Sequence, residues 1–263
     1  MAEHDGFDSA LTRLAQARRL LVALDFDGTV APRIDNPMEA RALPQAEAAL
    51  ERLRAIPGTW TAYVSGRPID QLAELTASDP DAFLIGSHGA ELRIGADDGL
   101  RVSTSESARL EALADALEAA VTSAPGAWIE HKPVGLGLHT RMTEPFLVPR
   151  LHDAARAAAE RIGGFRERAG HDLLEFSTRT VTKGYGLERL RNEIAVRAGA
   201  DAVVLFAGDD ETDEDALAVL RPGDVGVRVG PGRTRADFRV ANPTELAAAL
   251  VVLAGRRETA FTG

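Results

Sequence analysis

A short apolar run that ends in two carboxylates constrains the fold of this chain more than any other feature. Residues 20–24 are all Leu, Val or Ala, and Asp25 and Asp27 follow directly. A run of this length without a polar interruption is typical of a strand buried in a parallel sheet. Because side chains alternate along a strand, we expect Asp25 and Asp27 on the same side of the chain as it leaves the sheet.

The two carboxylates predict a cation at this point. Open α/β folds bind ligands at the carboxyl edge of the sheet, and carboxylate oxygens there suit a hard divalent ion such as Mg²⁺. Gly28 and Thr29 follow, and they let the backbone turn sharply and point amide groups at an anion. The alternative is an Asp-rich turn without a function, which is what a lone Asp-Gly pair usually indicates.

Apolar runs alternate with helical stretches in both the first and the last third of the chain. The predicted strands are 20–24, 60–64, 82–85, 203–207 and 225–229, and the predicted helices are 44–56, 68–76, 184–198 and 212–220. This alternation predicts a parallel α/β sheet. Thr212 is expected to cap the last of these helices, and its first turn is rich in Asp, which suits the helix dipole. Residues after Arg256 are expected to form a frayed tail.

The pattern changes between residues 99 and 177, where the order becomes αββαββ. Helices are predicted at 106–121 and 146–162, and strands at 128–132, 135–141, 165–168 and 172–176, the last two joined by Ala169 and Gly170. Two pairs of neighbouring strands of this kind indicate an antiparallel sheet. We therefore expect a core of residues 1–98 and 178–263 and an inserted α+β cap domain of residues 99–177.

Composition narrows the possible partners. The chain has 263 residues, 45% of them hydrophobic, a net charge of −10 and no cysteine. This acidity disfavours nucleic acids and anionic membranes, which bind basic surfaces. The lack of cysteine excludes disulfides, thiolate metal sites and cysteine nucleophiles. The sequence contains no recognisable signal peptide or membrane span, so we expect a cytoplasmic monomer that acts on a small molecule.

Four motifs, in this order, resemble those of the haloacid dehalogenase superfamily of phosphotransferases. They are Asp-Phe-Asp-Gly-Thr-Val at 25–30, Val-Ser-Gly-Arg at 64–67, Lys-Gly at 183–184 and the acidic stretch 208–215. The resemblance implies a Rossmannoid parallel-sheet core in which Asp25 is the nucleophile and Asp27 the general acid and base. Taken singly, Ser65 to Arg67 could also be an ordinary strand-to-helix turn, and Lys183 a solvated lysine at a helix start.

The resemblance also implies two sets of binding residues around that nucleophile. The residues implied to bind the phosphoryl group are Gly28, Ser65, Gly66 and Lys183. The residues implied to hold Mg²⁺ are Asp25, Asp27 through its main-chain carbonyl, Asp209, and either Asp213 or Asp210. The sequence does not choose between the last two carboxylates, or between direct and water-mediated contact.

Charged residues with strand periodicity mark the predicted cap strands. Glu130 and Lys132, and then His139 and Arg141, each occupy one face of a strand, and Glu175 would join that face. Carboxylates and ammonium groups together suit a neutral polyol, because its hydroxyls both donate and accept hydrogen bonds. The alternative is a solvated outer face with cross-strand ion pairs.

These cap residues, with Gly-Ser-His-Gly-Ala-Glu at 86–91, extend the resemblance to the trehalose-6-phosphate phosphatases over nearly the whole chain. The resemblance implies hydrolysis of trehalose 6-phosphate in trehalose biosynthesis, through an aspartyl-phosphate. The residues implied to contact the substrate are Arg67, His88, Glu130, Lys132, His139, Arg141 and Glu175. The chain departs from the family at Thr140, where an aromatic residue is common, and in the glycine-rich hairpin at 133–137.

Two other hypotheses stay open from the sequence. The first is a phosphatase for a related disaccharide, glycosylglycerol or pseudo-disaccharide (aminocyclitol) phosphate, because the same cap could hold such polyols. The second is a sugar-phosphate sensor without catalysis, which the loss of Asp25 or Asp27 would have favoured, whereas both are present. No feature indicates a phosphomutase, which must keep its intermediate away from water.

Overall fold

The structure is a computed structural model of the chain, and it describes residues 2–34, 36–94, 102–170, 172–179 and 181–262. The chain divides into two compact units. The first, which we call the core unit, comprises Met1–Gly99 and Val181–Gly263, and the second, the cap unit, comprises Leu100–Thr180. The predicted boundary between residues 98 and 99 lies outside the described residues.

The helices and strands alternate along the chain. The strands are β1 Leu20–Leu24, β2 Thr59–Val64, β3 Phe83–Gly86, β4 Glu91–Arg93, β5 Trp128–Lys132, β6 Gly135–His139, β7 Arg166–Gly170, β8 Leu173–Ser177, β9 Val203–Gly208, β10 Val225–Val229 and β11 Phe238–Val240. The α-helices are α1 Ala2–Gln16, α2 Pro44–Arg54, α3 Ile69–Leu75, α4 Thr104–Val121, α5 Val148–Ile162, α6 Lys183–Ala198, α7 Glu214–Leu217 and α8 Pro243–Thr262. Short 3₁₀ helices lie at Pro37–Glu39, Ser87–Gly89 and Glu211–Asp213.

A seven-stranded sheet forms the centre of the core unit, in the order β11-β10-β9-β1-β2-β3-β4. Neighbouring strands are parallel except β4, which runs antiparallel to β3. This arrangement confirms the predicted parallel α/β core. The central strand is β1, where Leu20 lies between Thr59 of β2 and Val203 of β9.

The position of β1 explains its uninterrupted apolar run. Leu20, Val22 and Leu24 pack into the hydrophobic cluster on one side of the sheet. Leu21 and Ala23 pack into the cluster on the other side. Full burial of one such leucine side chain contributes about 1.5–3 kcal/mol to stability, so a polar residue at either face of β1 would be costly.

The cap unit has its own antiparallel sheet, in the order β5-β6-β8-β7. Leu136 and Leu138 of β6 pack with Leu113 of α4 and Leu151 of α5 in a separate hydrophobic cluster. The helices therefore cover one face of this sheet, and the alternating residues form the other face. The αββαββ order predicted for the cap is confirmed, and Ser103 begins α4 in a reciprocal capping box with Glu106.

Two local predictions are wrong. The helix expected at 212–220 is a 3₁₀ turn at Glu211–Asp213 followed by the short α7, and Asp210, not Thr212, caps the turn. Asp210 is the better cap because the Asp213 side chain accepts a hydrogen bond from the Asp210 backbone amide, which completes a capping box. Ala169 and Gly170 are not a turn but the last residues of β7, and the chain reverses after them, where Asp172 has a φ of +55°.

The expected frayed tail after Arg256 is also wrong, because α8 continues to Thr262. Its Arg257 is fully buried and donates hydrogen bonds to the Leu14, Ala15, Ala17 and Gly58 carbonyls and to the Thr59 hydroxyl. Burial lowers the pKa of Arg257 to about 10, so the guanidinium is still charged at neutral pH. The Leu14 carbonyl also accepts from the Ala17 amide, and Arg257 adds donors for the last carbonyls of α1, which have no amide partner within the helix. Among the helices that the structure describes, none combines the length and the apolar character that a membrane crossing requires.

Candidate active site

Asp25 follows β1 directly and is buried. Its backbone amide donates to the Ala207 carbonyl of β9 over 2.9 Å, so the strand pairing fixes its position. One carboxylate oxygen accepts from Lys183 Nζ at 2.7 Å, and the other accepts from the Thr29 hydroxyl at 2.9 Å. Gly28 makes the second bond possible, because its φ of +81° turns the chain back toward Asp25.

Lys183 is the first residue of α6 and is buried between two carboxylates. Its Nζ lies 2.7 Å from Asp25 Oδ1 and 2.7 Å from Asp213 Oδ1. Burial alone would lower the pKa of Lys183, but the carboxylates of Asp213 and Asp25 raise it above its usual value. The alternative of a solvated lysine at a helix start is therefore wrong.

The loop after β9 brings two more aspartates to the same point. Asp213 is fully buried, and its Oδ2 accepts from the backbone amides of Asp209 and Asp210 at 3.1 and 2.9 Å. Asp209 Oδ2 accepts from Arg33 Nε at 3.0 Å and Nη2 at 2.9 Å. A Cβ atom at Gly28 would lie 2.0 Å from Asp209 Oδ2, so only glycine fits beside this carboxylate.

These carboxylates fit a divalent cation. Asp25, Asp209 and Asp213 each offer an oxygen, and the three oxygens lie within 4.8 Å of one another. Burial and the neighbouring Asp213 raise the pKa of Asp25, while Lys183 opposes the rise. Asp209 Oδ1 is buried and has no hydrogen-bond partner in the described part of the chain. An all-oxygen set with one uncommitted ligand atom suits a hard ion such as Mg²⁺.

Asp210 and Asp27 have other partners. The carboxylate of Asp210 accepts from the Glu211 amide at 2.7 Å, and it is not one of the three carboxylates whose oxygens lie together. Asp27 is held by the fork of Arg67, with Nε at 2.6 Å from Oδ2 and Nη2 at 2.7 Å from Oδ1. Arg67 Nη2 also donates to the Pro37 carbonyl at 2.8 Å. Arg67, expected to contact a substrate, is thus an ion-pair partner of the expected general acid and base.

The turn after β2 meets the loop that contains His88. The buried Ser65 hydroxyl accepts from the Arg67 amide at 3.1 Å. A Cβ atom at Gly66 would lie 2.5 Å from a ring carbon of His88, so the imidazole packs directly over the Gly66 backbone. Ser87 and His88 have φ values of +46° and +54°. Such backbone costs on the order of 1–3 kcal/mol for each non-glycine residue, and it is commonest at functional sites.

A second polar cluster lies within the cap unit, on the sheet face that the helices leave open. Lys132 Nζ lies 3.0 Å from Glu175 Oε1 and 3.8 Å from Glu130 Oε2. His139 Nε2 lies 3.1 Å from the same Glu130 oxygen. Burial would raise the pKa of Glu130, but His139 and Lys132 lower it below its usual value. Since Lys132 and Glu175 are buried, a fully solvated face is excluded, whereas Arg141 is exposed beyond the end of β6.

Sequence reasoning missed three residues of these clusters. Thr29 lies within the aspartate motif, four residues after Asp25, so its position could have indicated the bond to Asp25. Trp128 shares the strand period of Glu130, and its ring stacks on His139 with centroids 3.8 Å apart and planes 2° apart. Arg33 has no local signal, because it meets Asp209 from 176 residues away.

Known proteins share both the sequence pattern and the fold. The sequence model of the trehalose-phosphatase family matches residues 23–243. A trehalose-phosphate phosphatase of Mycobacterium ulcerans is 31% identical over 239 residues, which cover 87% of this chain and 60% of that protein. The chain therefore spans about 60% of the length of this curated relative.

Solved structures superpose over almost the whole chain. The C-terminal domain of the Candida albicans trehalose-6-phosphate phosphatase has a TM-score of 0.78 at 23% identity, covering 95% of this chain and 97% of that one. A trehalose-6-phosphate phosphatase related protein has a TM-score of 0.72 at 25% identity, covering 89% of this chain and 97% of that one. These likenesses agree with the core sheet and the cap described above.

Proposed function

The chain belongs to the trehalose-phosphatase family, and from this we propose that it hydrolyses trehalose 6-phosphate to trehalose and inorganic phosphate. The observation that carries the proposal is the buried ammonium of Lys183, which lies 2.7 Å from both Asp25 and Asp213 at the carboxyl end of the central strand. Lys183 and Thr29 each donate to one oxygen of Asp25, and these two bonds orient the carboxylate for nucleophilic attack. The proposed partner is therefore a small sugar phosphate, and the proposed setting is a cytoplasmic monomer.

In the first proposed step, a carboxylate oxygen of Asp25 attacks the phosphorus. The bond between phosphorus and the sugar oxygen breaks, and Asp27 gives its proton to that oxygen, which leaves as the sugar hydroxyl. The Ser65 hydroxyl, the Gly66 amide and the Lys183 ammonium stabilise the charge on the phosphoryl oxygens. The product of this step is an aspartyl-phosphate on Asp25.

In the second proposed step, Asp27 takes a proton from a water molecule that attacks the phosphorus. The bond from phosphorus to the Asp25 oxygen breaks, so the carboxylate is regenerated and inorganic phosphate leaves. Arg67 holds both oxygens of the Asp27 carboxylate in a bidentate pair, which fixes the orientation of this group.

We propose Mg²⁺ as the cofactor. Asp25, Asp209 and the Asp27 main-chain carbonyl would hold it, with Asp213 completing the site directly or through water. When bound, the ion supplies positive charge that offsets the phosphoryl dianion and the nearby carboxylates. Support comes from the three oxygens within 4.8 Å of one another and from the uncommitted Asp209 Oδ1.

Sugar recognition is proposed for the cap cluster. Glu130 and Glu175 would accept hydrogen bonds from sugar hydroxyls, and Lys132 would donate to them. His139 holds Glu130 at 3.1 Å, which keeps the carboxylate in one orientation. Arg141 and His88 are proposed to complete the contacts with the substrate.

Phosphate release from a panel of sugar phosphates tests this function. Trehalose 6-phosphate, glucose 6-phosphate, sucrose 6-phosphate and glucosylglycerol phosphate are compared with Mg²⁺ present and with the metal chelated. We expect about a hundredfold preference in kcat/KM for trehalose 6-phosphate, equal to about 2.7 kcal/mol of transition-state binding, and loss of activity on chelation. Unselective release would favour a related disaccharide or pseudo-disaccharide phosphate. No release from any compound, p-nitrophenyl phosphate included, would contradict the phosphatase chemistry itself.

A further inference from the structure

We propose that Trp128 contacts the sugar, stacking one face of its indole on the apolar face of a pyranose ring while the other face holds His139. The inference rests on the proposed function and extends it, because it adds an aromatic contact to the hydrogen bonds of the cap cluster. The observation behind it is an exposed indole that is nonetheless held in one orientation.

The register of the cap sheet places Trp128 beside the polar cluster. Along β5, Trp128, Glu130 and Lys132 lie on one face, because side chains alternate. Ile129 lies on the opposite face and packs into the cluster formed with the cap helices. Trp128 pairs with His139 across the ladder, so the stacked rings and the Glu130 carboxylate share the open face.

The indole is ordered on one side and exposed on the other. Its ring lies parallel to the imidazole of His139, 2° between planes and 3.8 Å between centroids. Even so, Trp128 is 48% exposed. An indole that is half exposed gives up part of the free energy that full burial of the ring would contribute. Because the ring is already held in one orientation, little conformational entropy is lost when a ligand stacks on it.

Two glycines shape the surface next to this ring. Gly135 and Gly137 of β6 lie opposite Lys132 and Glu130 in the ladder. A Cβ atom at Gly137 would lie 3.3 Å from Glu130 Oε2 and 3.5 Å from His139 Nε2. Leu173 Cδ1 would lie 3.2 Å from the same Cβ, so the lack of a side chain at Gly137 lets the carboxylate, the imidazole and this leucine pack closely over β6.

The combination fits a carbohydrate ring better than other small ligands. A pyranose has hydroxyls around its edge, which suit the carboxylates and the ammonium, and C–H groups on its faces, which suit an indole. Ligand sites that combine an aromatic surface with a few placed polar groups are typical of small-molecule recognition. The competing explanation is that Trp128 serves only to hold His139.

Tryptophan fluorescence tests the contact directly, because Trp60 and Trp128 are the two tryptophans of the chain. The probe is trehalose 6-phosphate, titrated with Mg²⁺ into the inactive W60F/D25N variant, where Trp128 alone emits. We expect a saturable change in intensity and emission maximum. The matched W128F/D25N variant, which emits from Trp60 in the core unit, should show no such change. Binding that calorimetry detects without a change in the Trp128 signal would overturn the proposal.

Steady-state kinetics distinguish a direct contact between Trp128 and the sugar from a role of Trp128 in positioning His139. We expect W128L to raise KM for trehalose 6-phosphate about three- to tenfold, with less change in W128F. The kcat/KM for p-nitrophenyl phosphate should stay within about twofold, which also shows that the variant is folded. If Trp128 only holds His139, W128L will have no effect in the H139A background, and that result would refute the sugar contact.

Failure of the proposed function gives a different result. If the parent enzyme prefers another sugar phosphate of the panel, trehalose 6-phosphate is the wrong substrate, and the same titration with the preferred compound decides the role of Trp128. If the parent binds none of the panel sugar phosphates but hydrolyses p-nitrophenyl phosphate, both the substrate and the Trp128 contact are refuted, while the aspartate chemistry stands.

Discussion

The charge clusters of the core and cap units both pair a lysine with carboxylates, but the outer members of the cap cluster have more access to water. In the core unit, the side chains of Lys183 and Asp213 are 2% and 0% exposed. In the cap unit, those of His139 and Glu130 are 22% and 16% exposed. The core cluster lies at strand and helix ends in a parallel sheet, whereas the cap cluster lies on the open face of an antiparallel one.

This difference in access to water predicts how well each cluster tolerates a substitution. A buried charge that loses its partner has no water to replace it, so the loss affects folding as well as chemistry. Water can reach the outer members of the cap cluster, and a lost contact there is partly replaced. We therefore expect substitutions in the core cluster to abolish function, and substitutions in the cap cluster to change which sugar phosphate is preferred.

The largest expected effect is that of Asp25→Asn on turnover. Asn keeps one oxygen that can accept from Lys183, and its amide nitrogen can donate to the Thr29 hydroxyl, but the side chain is not a nucleophile. The value of kcat should therefore fall by about 10⁴ or more while the protein stays folded. Phosphate release measures the loss, and circular dichroism measures folding. Asp153→Asn on the surface of α5 is the matched control and should leave kcat unchanged. Activity retained by the Asp25 variant would show that another group attacks the phosphorus.

The stability of two lysine variants compares the clusters directly. Lys183→Met leaves Asp25 and Asp213 buried without their ammonium, and should lower the free energy of unfolding by about 3–5 kcal/mol. Lys132→Met leaves Glu175 buried without its ammonium, but Glu130 keeps its contact with His139 and is partly exposed, so the loss should be smaller, about 1–2 kcal/mol. Chemical denaturation measures both, with Trp60 reporting on the core unit and Trp128 on the cap unit. Equal losses would mean that the cap cluster is as dependent on its cation as the core cluster.

Glu130→Ala should separate specificity from chemistry. Removal of this carboxylate should raise KM for the disaccharide phosphate about tenfold, while KM for p-nitrophenyl phosphate changes less than about twofold. Glu144→Ala, an exposed cap glutamate, is the control for a general effect of charge. A similar rise for both substrates would show that the cap face does not bind sugar.

The smallest expected effect is a pH-dependent one, at Glu106 of α4. Hydrogen bonds from Arg179 and Ser103 lower the pKa of Glu106 from 4.5 to about 2. A carboxylate with a lowered pKa stabilises the fold above its ordinary pKa, and this contribution is lost as the pH falls toward 2. Glu106→Gln should therefore cost about 0.5–1 kcal/mol at pH 7. When unfolding is measured at decreasing pH, the difference in the free energy of unfolding between variant and parent should disappear below about pH 4.5. A difference that stays constant with pH would mean that the charge of Glu106 does not contribute to the stability of the fold.

The parts of the molecule that local patterns encode could be predicted from the sequence. The apolar run of β1 indicated a strand buried in a parallel sheet, and the cap order followed from periodicity. The resemblance of the four motifs to a known superfamily implied that Lys183, and either Asp213 or Asp210, would lie near Asp25. The roles assigned to these residues stay predictions until activity is measured.

The rest depended on contacts between distant residues. Arg33 and Asp209 are separated by 176 positions, and Arg257 and Thr59 by 198. An arginine with polar neighbours usually indicates a solvated side chain, so no local rule would place Arg257 in the interior. The error at Thr212 had a different origin, since Asp210 is an equally good capping residue two positions earlier.

The place of β1 between β2 and β9 has a consequence for the time course of synthesis. Asp25 and Lys183 are 158 residues apart, so a ribosome adding about 5–20 residues per second makes the lysine roughly 8–30 s after the aspartate. The whole cap unit is translated in that interval, and its sheet pairs only within itself. The nascent chain can thus complete the cap while the strand that bears Asp25 still lacks β9 on one side. Chains that terminate between residues 30 and 182 contain the aspartate motif but neither Lys183 nor Asp213, so such fragments lack the cation and the second carboxylate that surround Asp25.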